Sequence, residues 1–275
     1  MNGFTFGQYY PANSILHRMD PRIKILMTLT FIVSTFLCKS LASFLALTLS
    51  IFVLILVSRI PVRLIFQSLK PLFFIIAFTF FINVFLASGD GEPLIVLFEK
   101  IKIYERGLWS ALFMFLRIFS LVAGTGLLLT YTTTPMDLTD ALESLLSPLK
   151  KLHVPVHVFA MMMSITLRFI PTLAEETEKI MNAQRARGAS FTSGSLVKRV
   201  KALIPILIPL FVSAINRALE LANAMECRCY HGGDGRTRLN VLKCRVSDVF
   251  ALLLTIGLGV GLYFLRYVPF GYVLE

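Results

Sequence analysis

The stretch AMECRCYHGG, residues 224–233, gathers side chains that could do chemistry. Cys227 and Cys229 stand one residue apart, His231 follows, and Cys244 lies further on. Thiolate and imidazole groups of this kind hold zinc or run redox cycles. Structural zinc sites draw on wider C-x(2–4)-C pairs, so this C-x-C-x-H spacing does not fit, and no metal is expected. Catalysis is no better served. The chain has four histidines, and neither an H-E-x-x-H motif nor an aspartate-rich diphosphate motif. The run HGGDGR lacks the strand, glycine and helix context of a phosphate loop and reads as a turn. What remains is the residue between the cysteines. Arg228 closes a long predicted helix, and Arg187 in AQRARGAS closes another. In each, an alanine-rich polar turn leads to arginine, a small residue and then glycine or serine.

The elements that carry these ends follow from composition. Of 275 residues, 56% are hydrophobic and 16% charged, and the mean hydropathy is +0.75. That is far more apolar than a soluble domain and reads as an integral membrane protein. The net charge of +11 sits beside apolar runs and forms no separate basic arm, so membrane orientation accounts for it and no nucleic-acid partner is expected. The N-terminus has no basic region followed by an apolar core, so no signal peptide is expected and residue 1 is expected to be retained. Four cysteines at scattered positions read as free thiols.

Apolar runs at Ile25–Cys38, Ser40–Ser58, Pro71–Ser88, Leu108–Thr130 and Val249–Leu265 give about five transmembrane helices. The first is short and is expected to use flanking residues, with Lys24 and Lys39 snorkelling. Arg18, Arg22, Lys24, Arg59, Arg63 and Lys70 flank ends that face the cytoplasm, because cytoplasmic loops retain positive charge. Only Lys39, Lys100, Lys102, Arg106 and Arg266 fall on the opposite side. The expected layout is a cytoplasmic N-terminal segment over 1–22, transmembrane helices over 23–130, a cytoplasmic domain over 131–247, and a final transmembrane helix with external C-terminus over 248–275. The protein is thus expected in the cell membrane as a multi-pass chain.

The 131–247 block reads as too long for a loop and too charged to span. Thr134, Pro135 and Asp137 mark a helix start, and leucines at spacings of three and four give a short amphipathic helix. Two longer helices follow, from about Val156 to Arg187 and from about Ser195 to Arg228. Each has an apolar portion and a charged end. At 1.5 Å per residue they run roughly 48 Å, with kinks expected at Pro171, Pro205 and Pro209. Two similar rods with basic ends could each fill a groove of a paired partner.

The stretches GQYYPANSILHRMDPRIK, TTTPMDLTDALESLLSPLK, LRFIPTLAEETEKIMNAQRARG and RALELANAMECRCY resemble the transmembrane, or T, component of energy-coupling factor (ECF) transporters, the family that includes the cobalt transporter's T subunit. They cover residues 7–24 near the N-terminus and about half of the cytoplasmic block. The resemblance implies an all-α integral membrane protein with a coupling domain in which two long helices cross. It further implies that Ala186, Arg187 and Gly188 form one Ala-Arg-Gly signature, and that the second falls on Cys227, Arg228 and Cys229, where cysteines replace the flanking small residues. In the family these tips insert into grooves of two ABC-type ATPase subunits, and the coupling helices also bind a membrane-embedded, substrate-capturing S component. The implied role is a non-catalytic coupling subunit of a vitamin or micronutrient importer, shared by several S components or dedicated to one substrate such as cobalt, nickel or biotin. No cofactor is expected in this chain, which has no G-x-x-x-x-G-K-[ST] motif, and ATP and Mg belong to the ATPases. A membrane-embedded enzyme using the Cys/His cluster or Glu175 to Glu178 at the cytoplasmic face is the reading from another class.

Other residues carry lesser expectations. Met161, Met162 and Met163 offer flexible side chains for S-component contact, against ordinary core filling. Glu175, Glu176 and Glu178 read as a solvated face. Arg117 lies inside the fourth span with no acidic partner in view, an intramembrane charge of unknown role. Gly257 and Gly261 form a GxxxG face expected to serve packing within the protein.

Overall fold

The structure is a computed structural model that describes residues 9–86, 95–97, 101–103, 105–189, 191, 195–232 and 242–265. The chain divides into two compact units, one from Gly7–Leu138 with Leu242–Glu275 and the other centred on Thr139–Val241. Among the described residues the fold is all-α apart from a hairpin of two three-residue strands, β1 (Ile95–Leu97) and β2 (Ile101–Ile103), paired antiparallel with Ile95 opposite Ile103.

In the first unit, α1 (Pro21–Leu37) starts where Asp20 accepts the Arg22 N–H at 2.9 Å and Pro21 occupies the first turn. Both are helix-start chemistry: a carboxylate for an orphan donor and a ring that lacks one. α2 (Leu41–Ser58) ends at Arg59 in the left-handed conformation, φ 57°. α3 (Val62–Leu69) passes through a 3-10 turn at Lys70–Leu72 into α4 (Phe73–Leu86). The segment expected to be a loop between spans two and three is therefore helical. Pro71 cannot donate to the helix ladder, yet one 3-10 turn absorbs it, and Val62–Val84 forms a single apolar segment of 23 residues. α5 (Glu105–Thr125) widens into a π turn over Gly126–Thr130, where the Tyr131 N–H reaches the Gly126 carbonyl at 2.9 Å. α9 (Val246–Leu265) packs beside α1 and α2.

The core of this unit is built from Met27, Phe31, Phe44, Leu47, Ile51, Phe113, Leu127 and Leu262. Phe44 and Phe113 stack with centroids 5.4 Å apart. Gly124 permits the closest approach, because a Cβ there would run into the Phe31 ring.

Buried polar groups tie the helix ends together. Lys24, expected to snorkel, is instead 1% exposed and donates to the Thr132 carbonyl at 2.8 Å. Its ammonium meets the carbonyl end of the α5 and π-turn helix, where a cation is favoured. Asp248 accepts N–H groups from Arg245 at 3.1 Å and Asp20 at 3.3 Å, so the starts of α9 and α1 share one carboxylate. Nearby, the His17 ring lies between Ser14 Oγ at 2.7 Å and the Tyr10 carbonyl at 2.9 Å. Burial, aided by the Lys24 charge, lowers the His17 pKa from its ordinary value, while the Tyr10 and Tyr131 carbonyls oppose the shift.

α6 (Pro135–Leu145) begins as its sequence predicts: the Thr134 hydroxyl accepts the Asp137 N–H at 3.2 Å and donates to the Asp137 carboxylate at 2.7 Å. It ends earlier than its leucine spacing suggests, since Pro148 stands in a 3-10 turn over Ser147–Leu152. In the second unit, α7 (Val156–Ala186) and α8 (Leu196–Cys227) hold 31 and 32 residues and continue through Pro171, Pro205 and Pro209.

Among the described residues, six helical segments are long and apolar enough to cross a membrane, against the five expected. α7 and α8 are among them, and α1, at 17 residues, is not. The difference lies in where charge sits. Each long helix keeps an 18-residue apolar window despite a charged end, so a block too charged as a whole still contains spanning-grade helix.

Candidate functional site

The two long helices end in the same backbone geometry. At the end of α7, Arg187 has φ −84° and ψ 7°, and its N–H reaches the Gln184 carbonyl at 3.1 Å. The Gly188 N–H then meets the Arg185 carbonyl at 2.9 Å and the Ala189 N–H the Gln184 carbonyl at 3.0 Å. At the end of α8, Arg228 has φ −95° and ψ 16°, with its N–H on the Met225 carbonyl at 3.1 Å. The Cys229 N–H meets the Glu226 carbonyl at 2.9 Å and the Tyr230 N–H the Met225 carbonyl at 3.1 Å. Three bonds match between the turns, and the Arg187 N–H makes one more, to the Ala183 carbonyl at 3.2 Å.

Each turn needs one residue in the left-handed region to bring the chain back over the last carbonyls. Gly188 takes that position at φ 88° and Cys229 at φ 55°. Glycine has no Cβ to clash there, whereas cysteine does. Cys229 is thus the structural counterpart of Gly188, and Cys227 of Ala186.

The side chains at both tips point to solvent. Ala186, Arg187, Gly188, Cys227, Arg228 and Cys229 are all exposed. Arg185 is held locally, with Nη1 3.3 Å from Asn182 Oδ1 and its guanidinium 5.9 Å from the Phe191 ring centroid. Among the described residues, neither Arg187 nor Arg228 has a side-chain partner, so each presents a free five-donor fork.

Behind the tips, α7 and α8 are joined by an ion pair that the sequence reading missed. Arg217 Nη2 lies 2.6 Å from Glu176 Oε2. Glu176 is therefore a helix-to-helix anchor rather than part of a solvated face, while Glu175 and Glu178 are exposed. An apolar cavity of 280 Å³ beside it is lined by Ile165, Phe169, Leu173, Leu221 and Met225. Met162 and Met163 are about half exposed and Met161 partly buried, so this run has two accessible members rather than a filled core position.

The remaining singled-out residues find local partners. Arg117 Nη2 donates to the Cys38 carbonyl at 3.0 Å and its guanidinium lies 5.7 Å from the Phe44 ring. The intramembrane charge thus caps the exit of α1, and a carbonyl 79 residues away in sequence does the work an acid was sought for. The GxxxG expectation is corrected: a Cβ at Gly257 or Gly261 meets nothing within 4 Å, whereas one at Gly259 would collide with Ser34 Oγ. The internally packed glycine lies on the opposite face of α9. All four cysteines are free, Cys38 buried and the others exposed.

Apolar helices long enough to span a bilayer, together with a helical unit that ends in two matched, arginine-bearing tips, define a multi-pass membrane component. A family model described as CbiQ, cobalt transport protein, matches residues 12–239, and the chain belongs to that family. Its relatives include proteins named energy-coupling factor transporter transmembrane protein EcfT. The one from Bacillus subtilis is 46% identical over 266 residues, covering 97% of this chain and 98% of its own. Those from Clostridium kluyveri and Heliobacterium modesticaldum are 48% and 50% identical over 249 and 248 residues, each covering 90% of this chain and 92% of their own.

Proposed function

We propose that this chain is the transmembrane coupling component of an ECF importer, transmitting ATP-driven movement from two ABC-type ATPase subunits to a membrane-embedded substrate-binding subunit. The tips of α7 and α8 dock into the two ATPases, with Arg187 and Arg228 as anchors. ATP and Mg are held by those partners, and this chain performs no chemistry of its own. The N-terminus and the tips face the cytoplasm and the C-terminus faces outward, as the distribution of Lys and Arg favours. Met162 and Met163 contribute to the surface met by the substrate-binding subunit, where flexible thioethers repack against different partners.

The observation that carries this reading is the repeated turn: two exposed arginines, without side-chain partners among the described residues, on two closely similar backbone paths. Duplication of a docking element fits duplicated grooves. The relatives' names place them in energy-coupling factor transporters, over nearly their whole length. The cobalt description of the family favours a second reading, a subunit dedicated to one substrate. The module shared among several substrate-binding subunits is preferred because the relatives' names specify no substrate.

The test is substitution at the tips. Truncating an anchor residue costs about 2 to 4 kcal/mol of docking. Arg187→Ala and Arg228→Ala are each expected to insert normally and lose most ATP-driven uptake. Undiminished uptake by the double variant would remove this mechanism. Uptake assays with different substrate-binding subunits, each combined with this chain and the same ATPases, separate the shared from the dedicated module.

A further inference from the structure

We infer that Cys227 and Cys229 make the α8 tip a site of reversible mixed-disulfide formation with an anionic low-molecular-weight disulfide, a modification that blocks docking at this tip and leaves the α7 tip untouched. The inference rests on the docking reading above and extends it to regulation.

Comparison of the two tips carries it. Both turns follow the same path, yet one is built with Ala186 and Gly188 and the other with Cys227 and Cys229. Neither sulfur is needed for the fold of the turn, and a Cβ at the left-handed position of Cys229 opposes it. Both thiols are free and exposed, on either side of an exposed arginine. Cys38 shows the contrast: it is 0% exposed and its thiol donates to the Ser34 carbonyl at 3.3 Å, the setting of an inert packing cysteine. Exposure decides which cysteines can meet a disulfide, and the cationic neighbour decides which disulfide is drawn in. Arg228 favours one bearing carboxylates.

The step is ordinary exchange. The sulfur of Cys227 or Cys229, after losing its proton to solvent, attacks one sulfur of RS–SR. A protein–S–SR bond forms, the RS–SR bond breaks, and RS⁻ departs and takes up a proton. Excess RSH runs the same step backwards. The adduct places bulk where a small residue must enter a groove, and its carboxylates occupy the Arg228 donors intended for the partner. An occupied groove, in turn, shields both sulfurs, so the modification acts on the undocked tip.

Glutathione disulfide is the probe. The purified full-length chain, alone and assembled with its ATPase subunits, is treated, the adducts are mapped by peptide mass spectrometry, and ATPase retention on the immobilised chain is measured. The adduct is expected on Cys227 or Cys229 of the free chain and absent from the assembled complex. Retention is expected to fall by about 30-fold or more, the effect of disabling one anchor, and to recover with dithiothreitol. The Cys227→Ala/Cys229→Gly double variant is expected to show the same retention with and without treatment, while Cys244→Ala remains as sensitive as the unaltered chain. Adduct formation with undiminished retention would overturn the inference and leave the docking reading standing, as would free-chain thiols that do not react. Full retention by Arg228→Ala would instead remove the docking reading itself.

Discussion

At the scale of single residues, the two tips form a natural substitution experiment within one molecule. Gly188 and Cys229 occupy the same left-handed position, at φ 88° and 55°. A Cβ in that region costs about 1 kcal/mol or more, so the turn after α8 carries a strain that the turn after α7 does not. Cys229→Gly is accordingly expected to raise thermal stability in detergent by about 1 kcal/mol, and Gly188→Ala to lower it by a similar amount. Measuring both unfolding midpoints checks the pair; equal and null effects would mean the turns are not equivalent. Arg117 shows the other lesson at this scale. An arginine within an apolar run invites a search for an acid, but the end of a neighbouring helix offers unpaired carbonyls that serve as well. Cys38 supplies one at 3.0 Å.

At the scale of elements, what the sequence makes legible is local. The Thr134, Pro135 and Asp137 start of α6 can be read because donor and acceptor lie three residues apart. The extents of α7 and α8 can be read within a residue or two because Ser195 and the small residues after each arginine punctuate them. Features set by distant partners cannot be read in this way. The inward turn of Lys24 depends on the Thr132 carbonyl, and the helical course through Pro71 depends on one 3-10 turn that composition does not announce. The glycines of α9 show the same limit. Spacing alone picks out Gly257 and Gly261, yet packing selects Gly259, whose missing Cβ makes room for a Ser34 hydroxyl bonded to the Thr30 carbonyl at 2.7 Å. Gly259→Ala is therefore expected to destabilise the α1–α9 contact by about 1 to 3 kcal/mol, the range for overpacking. Gly257→Ala and Gly261→Ala are expected to leave the unfolding midpoint within experimental error. A midpoint for Gly259→Ala as high as for the other two would contradict this assignment.

At the scale of the whole molecule, the proposed function requires that displacement at two separate tips act as one movement, and the Glu176–Arg217 pair gives α7 and α8 a common reference point. Glu176 lies ten residues before the end of α7 at Ala186, and Arg217 ten before the end of α8 at Cys227. At 1.5 Å per residue, both arms beyond the pair are about 15 Å long. Equal arms on matched turns give two docking levers of one length, which suits two grooves of the same kind. The pair is partly exposed, so its loss should cost only about 1 kcal/mol of stability. Its larger effect is expected in coupling, because a slip of one helix by a turn would shift one tip by about 5.4 Å relative to the other. Glu176→Ala is thus expected to keep the ATPases bound and hydrolysing while uptake per ATP falls severalfold. The exchanged pair, Glu176→Arg with Arg217→Glu, is expected to restore much of that ratio. Simultaneous measurement of ATP hydrolysis and transport in proteoliposomes reads both quantities. An exchanged pair no better than the single variants would show that the contact does not set the register of the levers.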